Sequence, residues 1–176
     1  MAGLILLLVA PIMLVTGDPL MAMASCVETD GGFVAFTAVL QPPSGDGSDG
    51  FQSMGPYSSD TTIIYGNVIT NIGDAYNSAT GIFTAPVKGV YFFTFTTYSW
   101  VTEKDIGVQL MKNTDVVLTV WEWQDKGDNE DYASNSVVLQ LQVGDMVYMR
   151  LPKNFYIAAS RLHNVNTFTG YLLRQM

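Results

Sequence analysis

The chain has 176 residues, 48% of them hydrophobic and 12% aromatic, which is enough for one domain with a sizeable core and too apolar for a disordered chain. Its 16 glycines are scattered rather than placed at every third position, which excludes a collagen-like rod. With 8 Lys and Arg against 16 Asp and Glu, the net charge of −8 argues against nucleic acid as a partner, because binding a phosphate backbone needs a clustered basic face.

The N-terminus, residues 1–24, is predicted to be a signal peptide. Residues 4–15 form an apolar run that suits a signal-peptide core and is shorter than the roughly 20 residues of a membrane-spanning helix. Small residues follow at two points, so cleavage is expected after residue 17 or after residue 24. No later segment is apolar for long enough to span a membrane, so we expect a secreted, extracellular product.

Cys26 is the only cysteine and lies in a short segment, residues 25–32, that would follow the signal peptide. A single cysteine excludes an intrachain disulfide. In a secreted protein it indicates either an interchain disulfide or a free thiol, and an oxidising environment favours the disulfide.

Candidates for catalysis are few. His163 is the only histidine, it lies beside asparagines, and the chain contains no Gly-x-Ser-x-Gly motif. We interpret His163 as an exposed loop residue. A pair of carboxylates such as Glu122 and Asp131 could act as general acid and base, but nothing in the sequence places them across a cleft. We therefore predict no catalytic residues and no enzymatic activity.

From residue 32 onward, apolar residues recur with the period of two that is typical of β-strands. Strands are predicted at residues 32–40, 61–65, 81–86, 90–98, 106–111, 116–121, 136–143, 146–151 and 167–173. The Pro, Gly, Ser and Asp residues of 41–59 predict a long surface loop. About ten short strands without an amphipathic helix predict an all-β, antiparallel sandwich or jelly roll.

The strand predicted at 90–98 is apolar on both of its faces. Alternation puts Tyr91, Phe93 and Phe95 on one face and Val90, Phe92 and Thr94 on the other. We expect the first face to pack inside a two-layer sandwich and the second to lie against a neighbouring subunit.

A run of spaced residues resembles the signature of the globular head domain of complement C1q. The matching positions are Tyr65, Asn71, Tyr76, Phe83, Gly89, Tyr91, Phe93 and Phe95. Further family-like blocks lie at 77–86, 133–137, 144–145 and 166–173, and the last of these contains Gly170. The family has Phe where this chain has Tyr65, whose hydroxyl needs a partner if it is buried. We interpret the signature aromatics as core residues rather than ligand contacts.

The resemblance implies a ten-stranded antiparallel jelly-roll β-sandwich over residues 33–176 that associates as a homotrimer and is related in fold to tumour necrosis factor ligands. The 9 Tyr, 9 Phe and 3 Trp are more than one thin sandwich easily buries, and a trimer would bury the excess at its axis. Because no collagen sequence precedes the domain, we expect a head-only member of the family.

The acidic stretch 121–131 is the candidate metal site. Its five carboxylates do not match an EF-hand loop, although carboxylate oxygens suit Ca²⁺. The resemblance implies a calcium site near the trimer axis, with Asp131 at a matching position and Glu122 or Asp125 in place of a second carboxylate that would fall at Trp123. The alternative is a solvated acidic loop. We interpret Asp46, Asp49 and Asp60 as turn residues.

Two non-catalytic functions remain. The first is a secreted trimer that recognises an extracellular ligand, as in innate-immune pattern recognition, with avidity from three equivalent sites. The alternative is a secreted signalling ligand for a cell-surface receptor, like the cerebellin-like or adiponectin-like members of the family. Trimers linked through Cys26 would favour the alternative.

Overall fold

The computed structural model describes residues 32–42, 50–127 and 130–176. The predicted signal peptide, Cys26, Asp46 and Asp49 lie outside these residues. Within them no helix is long and apolar enough to span a membrane. The described strands are β1 (Ala35–Val39), β2 (Phe51–Met54), β3 (Thr61–Thr62), β4 (Asn67–Ile72), β5 (Tyr76–Asn77), β6 (Ile82–Thr84), β7 (Gly89–Ser99), β8 (Lys104–Lys112), β9 (Asp115–Gln124), β10 (Asp131–Leu141), β11 (Met146–Leu151), β12 (Ile157–Ser160) and β13 (Thr167–Gln175).

Two antiparallel sheets pack face to face. The first sheet has the order β10-β7-β13-β1-β4, and the second has the order β5-β6-β11-β8-β9, with β3 paired to β11. Strands β2 and β12 form a separate two-stranded ladder. The predicted antiparallel jelly-roll β-sandwich is confirmed. The described residues hold thirteen strands rather than about ten, because several strands of two to four residues join the longer ones.

Four strands lie where the sequence did not predict them, and one of these is the two-residue strand β5. Strand β2 interrupts the predicted loop 41–59, and it forms because it pairs with β12, which was also missed. Strand β4 lies in a polar stretch of the sequence. It is an edge strand of the first sheet, and an edge strand can expose polar side chains to solvent. The strand predicted at 136–143 ends earlier, because β10 stops at Leu141 and Val143 is exposed in the following turn.

The core is an aromatic layer between the two sheets. The ring of Phe36 stacks on Tyr76 with centroids 4.5 Å apart and meets the edge of Phe168 at 4.9 Å. Phe83 packs edge-on against Phe93, with 5.4 Å between the centroids. All of these side chains are buried, and the signature residues Tyr91 and Phe95 are buried with them. Such aromatic pairs stabilise a core beyond the area they remove from water.

Other signature residues hold the turn before β5 in place. The side-chain amide of Asn71 donates to the carbonyl oxygen of Tyr76 at 2.8 Å and accepts from its N–H at 3.2 Å. The hydroxyl of Tyr76 donates to the backbone carbonyl of Tyr65 at 3.0 Å. This explains why an amide and a phenol occupy those two positions.

The turn at Gly144 and Asp145, one of the family-like blocks of the sequence, is fixed by the side chain of Asp145. Its carboxylate accepts hydrogen bonds from the Asn113 side chain at 3.0 Å and from the Gln142 N–H at 2.9 Å. It also forms an ion pair with Lys112 at 3.2 Å. Chiefly through the hydrogen bond from Asn113, these contacts hold the pKa of Asp145 below its usual range.

The hydroxyl of Tyr65 is the one departure from the signature, and burying it lowers the stability of the fold. Tyr65 is fully buried, and its hydroxyl has no hydrogen-bond partner among the described residues. Burial raises the pKa of Tyr65, so the group stays a protonated donor.

We expect Tyr65→Phe to raise the free energy of unfolding by about 1 kcal/mol, because it removes a buried polar group that pairs with nothing. Chemical denaturation measures the change. The matched control is Tyr91→Phe, because the Tyr91 hydroxyl donates to the Val87 carbonyl at 2.7 Å, and this variant should lose about 1 kcal/mol. A loss of stability in Tyr65→Phe equal to that in the control would contradict the prediction.

Candidate interaction surfaces

Part of the face of the first sheet that points away from the core is uncharged; Arg174, opposite Val90, lies just beyond this part. Register places the residues of this part in three rows that cross the five strands from β10 to β4. The rows are Val138, Phe92, Tyr171, Ala35 and Ile72; then Ser136, Thr94, Thr169, Thr37 and Thr70; then Ser134, Thr96, Thr167, Val39 and Asn67. We call these fifteen residues the uncharged face.

The first row of the uncharged face is apolar and partly open to solvent. Val138 is 55% exposed, and the rings of Phe92 and Tyr171 pack with centroids 5.3 Å apart. The second row is a ladder of hydroxyl groups, in which the side chains of Thr37 and Thr169 approach to 3.1 Å. Depletion of charged residues is the compositional mark of an interface core, and here it occurs on a chain with a net charge of −8.

A second feature lies where β9 ends and β10 begins. Gln124 is fully buried, and neither its oxygen nor its nitrogen has a hydrogen-bond partner among the described residues. The Oδ2 atom of Asp131 and the hydroxyl of Thr97 are buried without partners there as well. Asp131 is paired with Ser99 on β7, and Thr97 is paired with Ala133 on β10. Alternation along the two strands puts the side chains of Asp131 and Thr97 on the same face as the core residues Phe93 and Phe95. Burying such groups unpaired is costly, so this end of the sandwich is suited to a further polar ligand.

The sequence suggests one acidic loop over 121–131, but the structure divides this stretch between strand β9 and a shorter connection. Residues 121–124 belong to β9, and the connection to β10 covers only 125–130. Glu122 therefore lies in a strand, and it and Asp125 are exposed. Within 32–42, 50–127 and 130–176, no three carboxylate, imidazole or thiol groups are placed to hold a metal ion. Sequence reasoning missed Gln124, because an uncharged amide does not stand out among carboxylates.

The oxygen donors at this end fit calcium only in part. The Asp131 Oδ2 and Gln124 Oε1 atoms are hard oxygens that lack partners in the described structure, and Ca²⁺ takes six to eight such ligands. The remaining ligands would have to come from the 125–130 connection, from water or from another copy of the chain.

Asp60 and His163 have structural surroundings. Asp60 forms an ion pair with Arg150 at 3.3 Å and accepts the Lys153 N–H at 2.9 Å. His163 is exposed, and its ring stacks on Phe51 with centroids 5.4 Å apart.

One groove is described on the side of the sandwich near β4. Its volume is about 550 Å³, and its lining combines apolar residues with neutral polar ones. The lining residues are Leu40, Gln41, Met54, Tyr57, Thr62, Ile64, Gly66 and Asn67. The absence of charge in this lining would favour a neutral occupant over an ionic one.

The fold places the chain among jelly-roll proteins of the C1q and tumour necrosis factor type. It is similar to the globular domain of zebrafish complement 1qA protein, with a TM-score of 0.56 and 23% identity over 82% of this chain and 99% of that one. It is also similar to Eiger TNF from S. frugiperda, with a TM-score of 0.62 and 13% identity over 82% and 95% of the two chains.

The chain belongs to the C1q domain family, whose model matches residues 50–173. The resemblance read from the signature residues is thereby confirmed. Complement C1q tumor necrosis factor-related protein 3 of mouse is 38% identical over 115 residues, which is 63% of this chain and 44% of that protein. The chain therefore spans less than half the length of this curated relative.

Proposed function

We propose that this chain is a secreted, non-catalytic recognition module that acts as a homotrimer and binds an extracellular ligand in innate-immune pattern recognition. The observation that carries the proposal is the uncharged face. This face is exposed, and it carries an apolar row and a hydroxyl row on a strongly acidic chain. A partner that suits it is neither charged nor fully polar.

A second copy of the chain is the partner that best suits this face. Copies that each carry a charge of −8 repel one another unless their contact surfaces are free of charge. A contact between the uncharged face of one copy and the edge of the next closes into a ring when the rotation per copy is one third of a turn. Tyr132, Val138 and Val116 are exposed apolar side chains at or near that edge, on β10 and β9.

Recognition by a trimer gains from repetition. Three equivalent sites at fixed spacing bind a repetitive surface far more tightly than one site does, without new contacts. Such a module suits polysaccharide or lipid surfaces that repeat the same group, and the proposal of pattern recognition rests on this property.

The alternative is a signalling ligand for a cell-surface receptor. It is supported by the 38% identity to complement C1q tumor necrosis factor-related protein 3 and by the fold shared with Eiger TNF. An interchain disulfide through Cys26 would join trimers and raise valency further. A binding screen of the trimer against lipopolysaccharide, microbial polysaccharides and receptor ectodomains separates the two functions.

We further propose that Asp131 and Gln124 bind Ca²⁺, with Glu122 or Asp125 as a third ligand. The support is the pair of buried oxygens without partners at the end of β9 and the start of β10. A bound cation would satisfy both oxygens.

For the trimer, light scattering after size exclusion should give three times the mass of the mature chain. Phe92→Asp puts a charge in the centre of the uncharged face and should weaken association by about 2 kcal/mol or more per contact, giving monomer at micromolar concentration. Val143→Asp, in an exposed turn outside the face, is the matched control and should stay trimeric. If Phe92→Asp does not fold, Ser136→Asp replaces it. A wild-type monomer would contradict the proposal.

For calcium, EDTA should lower the melting temperature of the wild type by several degrees, because a ligand at about a hundredfold excess over its Kd adds about 2.7 kcal/mol. Asp131→Asn and Gln124→Leu should lose this dependence. Glu122→Gln and Asp125→Asn identify the third ligand, and Asp115→Asn, at the far end of β9, is the control for removal of one charge. A wild-type melting curve that EDTA does not change would contradict the proposal.

A further inference from the structure

Two tryptophans stand side by side on the outer surface of the second sheet. Trp121 and Trp123 share a face of β9, opposite to the face that carries Val120 and Gln124 into the interior. They are 58% and 49% exposed. Large indole rings are rarely left this open on a soluble domain, and an adjacent exposed pair marks an interaction site.

The ring of Trp121 is held in place rather than free to turn. Its Nε1 donates to the Oδ1 atom of Asp105 at 2.7 Å. The residue directly opposite Trp121 on β8 is Gly107, where an added Cβ would lie only 2.1 Å from the Val120 carbonyl oxygen. The hydrogen bond to Asp105 restrains rotation of the indole, and the close approach at Gly107 brings the backbones of β8 and β9 together beside it. A preorganised aromatic surface loses little entropy on binding.

Asp105 is also the residue directly opposite Trp123 in the register of β8 and β9, so it lies next to both tryptophans in the sheet. We call Trp121, Trp123 and Asp105 the tryptophan platform. The chain segments that carry it, 103–105 and 121–126, are acidic on balance, with four carboxylates, Glu103, Asp105, Glu122 and Asp125, against two lysines. Glu122 alternates with the two tryptophans and lies on the opposite face of β9, so the carboxylate in contact with an indole is Asp105. Charge complementarity therefore favours a cationic partner.

We propose that the tryptophan platform binds arginine side chains of a basic segment in a partner protein. The planar guanidinium stacks on an indole face and at the same time donates to a carboxylate. The platform offers both groups, with the indole of Trp121 beside the Asp105 carboxylate, whose Oδ2 can accept a charge-assisted hydrogen bond. A lysine ammonium would gain the charge but not the stacked plane, so arginine is the preferred residue.

This inference supplies a partner chemistry for the recognition role proposed above and depends on the platform staying open in the trimer. The platform shares strand β9 with Val116, but none of its three residues belongs to the uncharged face or to the side chains assigned to the edge contact. The two surfaces therefore do not compete for the same residues.

The test uses tryptophan fluorescence. Because the chain has 3 Trp, the variant Trp100→Phe leaves Trp121 and Trp123 as the only reporters. The probe is the capped peptide Gly-Arg-Gly-Arg-Gly, titrated into the full mature chain at physiological salt. The matched probe has citrulline at both arginine positions, which keeps the shape and removes the charge.

In the Trp100→Phe background, the arginine peptide should change the emission and bind at least tenfold more tightly than the citrulline peptide. Trp121→Ala and Asp105→Asn should each weaken binding about tenfold, and Trp123→Ala serves if Trp121→Ala does not fold. Asp115→Asn removes the same charge elsewhere on β9 and should change the affinity less than twofold.

Three results would overturn the inference: equal binding of the two peptides, equal losses in Asp105→Asn and Asp115→Asn, or emission changes with neutral oligosaccharides but not with the arginine peptide. Light scattering on the same samples separates this inference from the trimer. A trimer that does not bind the peptide overturns the platform alone, whereas a monomer that binds it overturns the trimer alone.

Discussion

The close packing of Gly170 against Phe36 and Phe93 is the constraint on which the rest of the sandwich depends. Gly170 is opposite Phe36 on β1 and opposite Phe93 on β7, and an added Cβ would lie 2.5 Å from the Phe93 ring and 2.7 Å from the Phe36 ring. Only glycine lets both rings lie across β13. A slip of one residue would put side chains into this space and would turn every core residue of the strand outward. The three central strands are therefore held in one register.

That register decides what the two faces of the first sheet can do. Its inner face holds the aromatic core, in which Phe168 and Phe36 meet edge to face. On its outer face, one row consequently aligns apolar residues and the next aligns hydroxyl groups across all five strands. Charge is confined to other parts of the surface, including the strand ends around the tryptophan platform. The molecule thus has one surface suited to copies of itself and another, on the other sheet, suited to a basic partner.

Much of this fold follows from sequence pattern. Alternation identifies β7, β10, β11 and β13, because these strands have one face in the core. The spacing of the signature residues identifies the family as well. Asn71 and Tyr76 are recognisable in that spacing because their side chains make specific hydrogen bonds around one turn. The short ladder of β2 and β12 escaped prediction, because each strand is stabilised by a partner about a hundred residues away.

The interaction surfaces were harder to predict for the same reason. The uncharged face becomes visible only when five strands are placed in register, since each strand contributes three residues to it. Trp121 and Trp123 are evident in the sequence, but the Asp105 carboxylate that completes their platform comes from the neighbouring strand. Gln124 gave no signal, because its importance lies in being buried without a partner.

The central claim is that the outer face of the first sheet is buried between copies of the chain. Thiol reactivity tests it most directly, with single cysteines introduced in a Cys26→Ser background. In an isolated chain Val138 and Val143 are 55% and 68% exposed, so Val138→Cys and Val143→Cys would react with a maleimide at similar rates. If the face is buried between copies, Val138→Cys reacts many times more slowly than Val143→Cys in the native protein and equally fast after denaturation. Similar rates in the native protein would contradict the account.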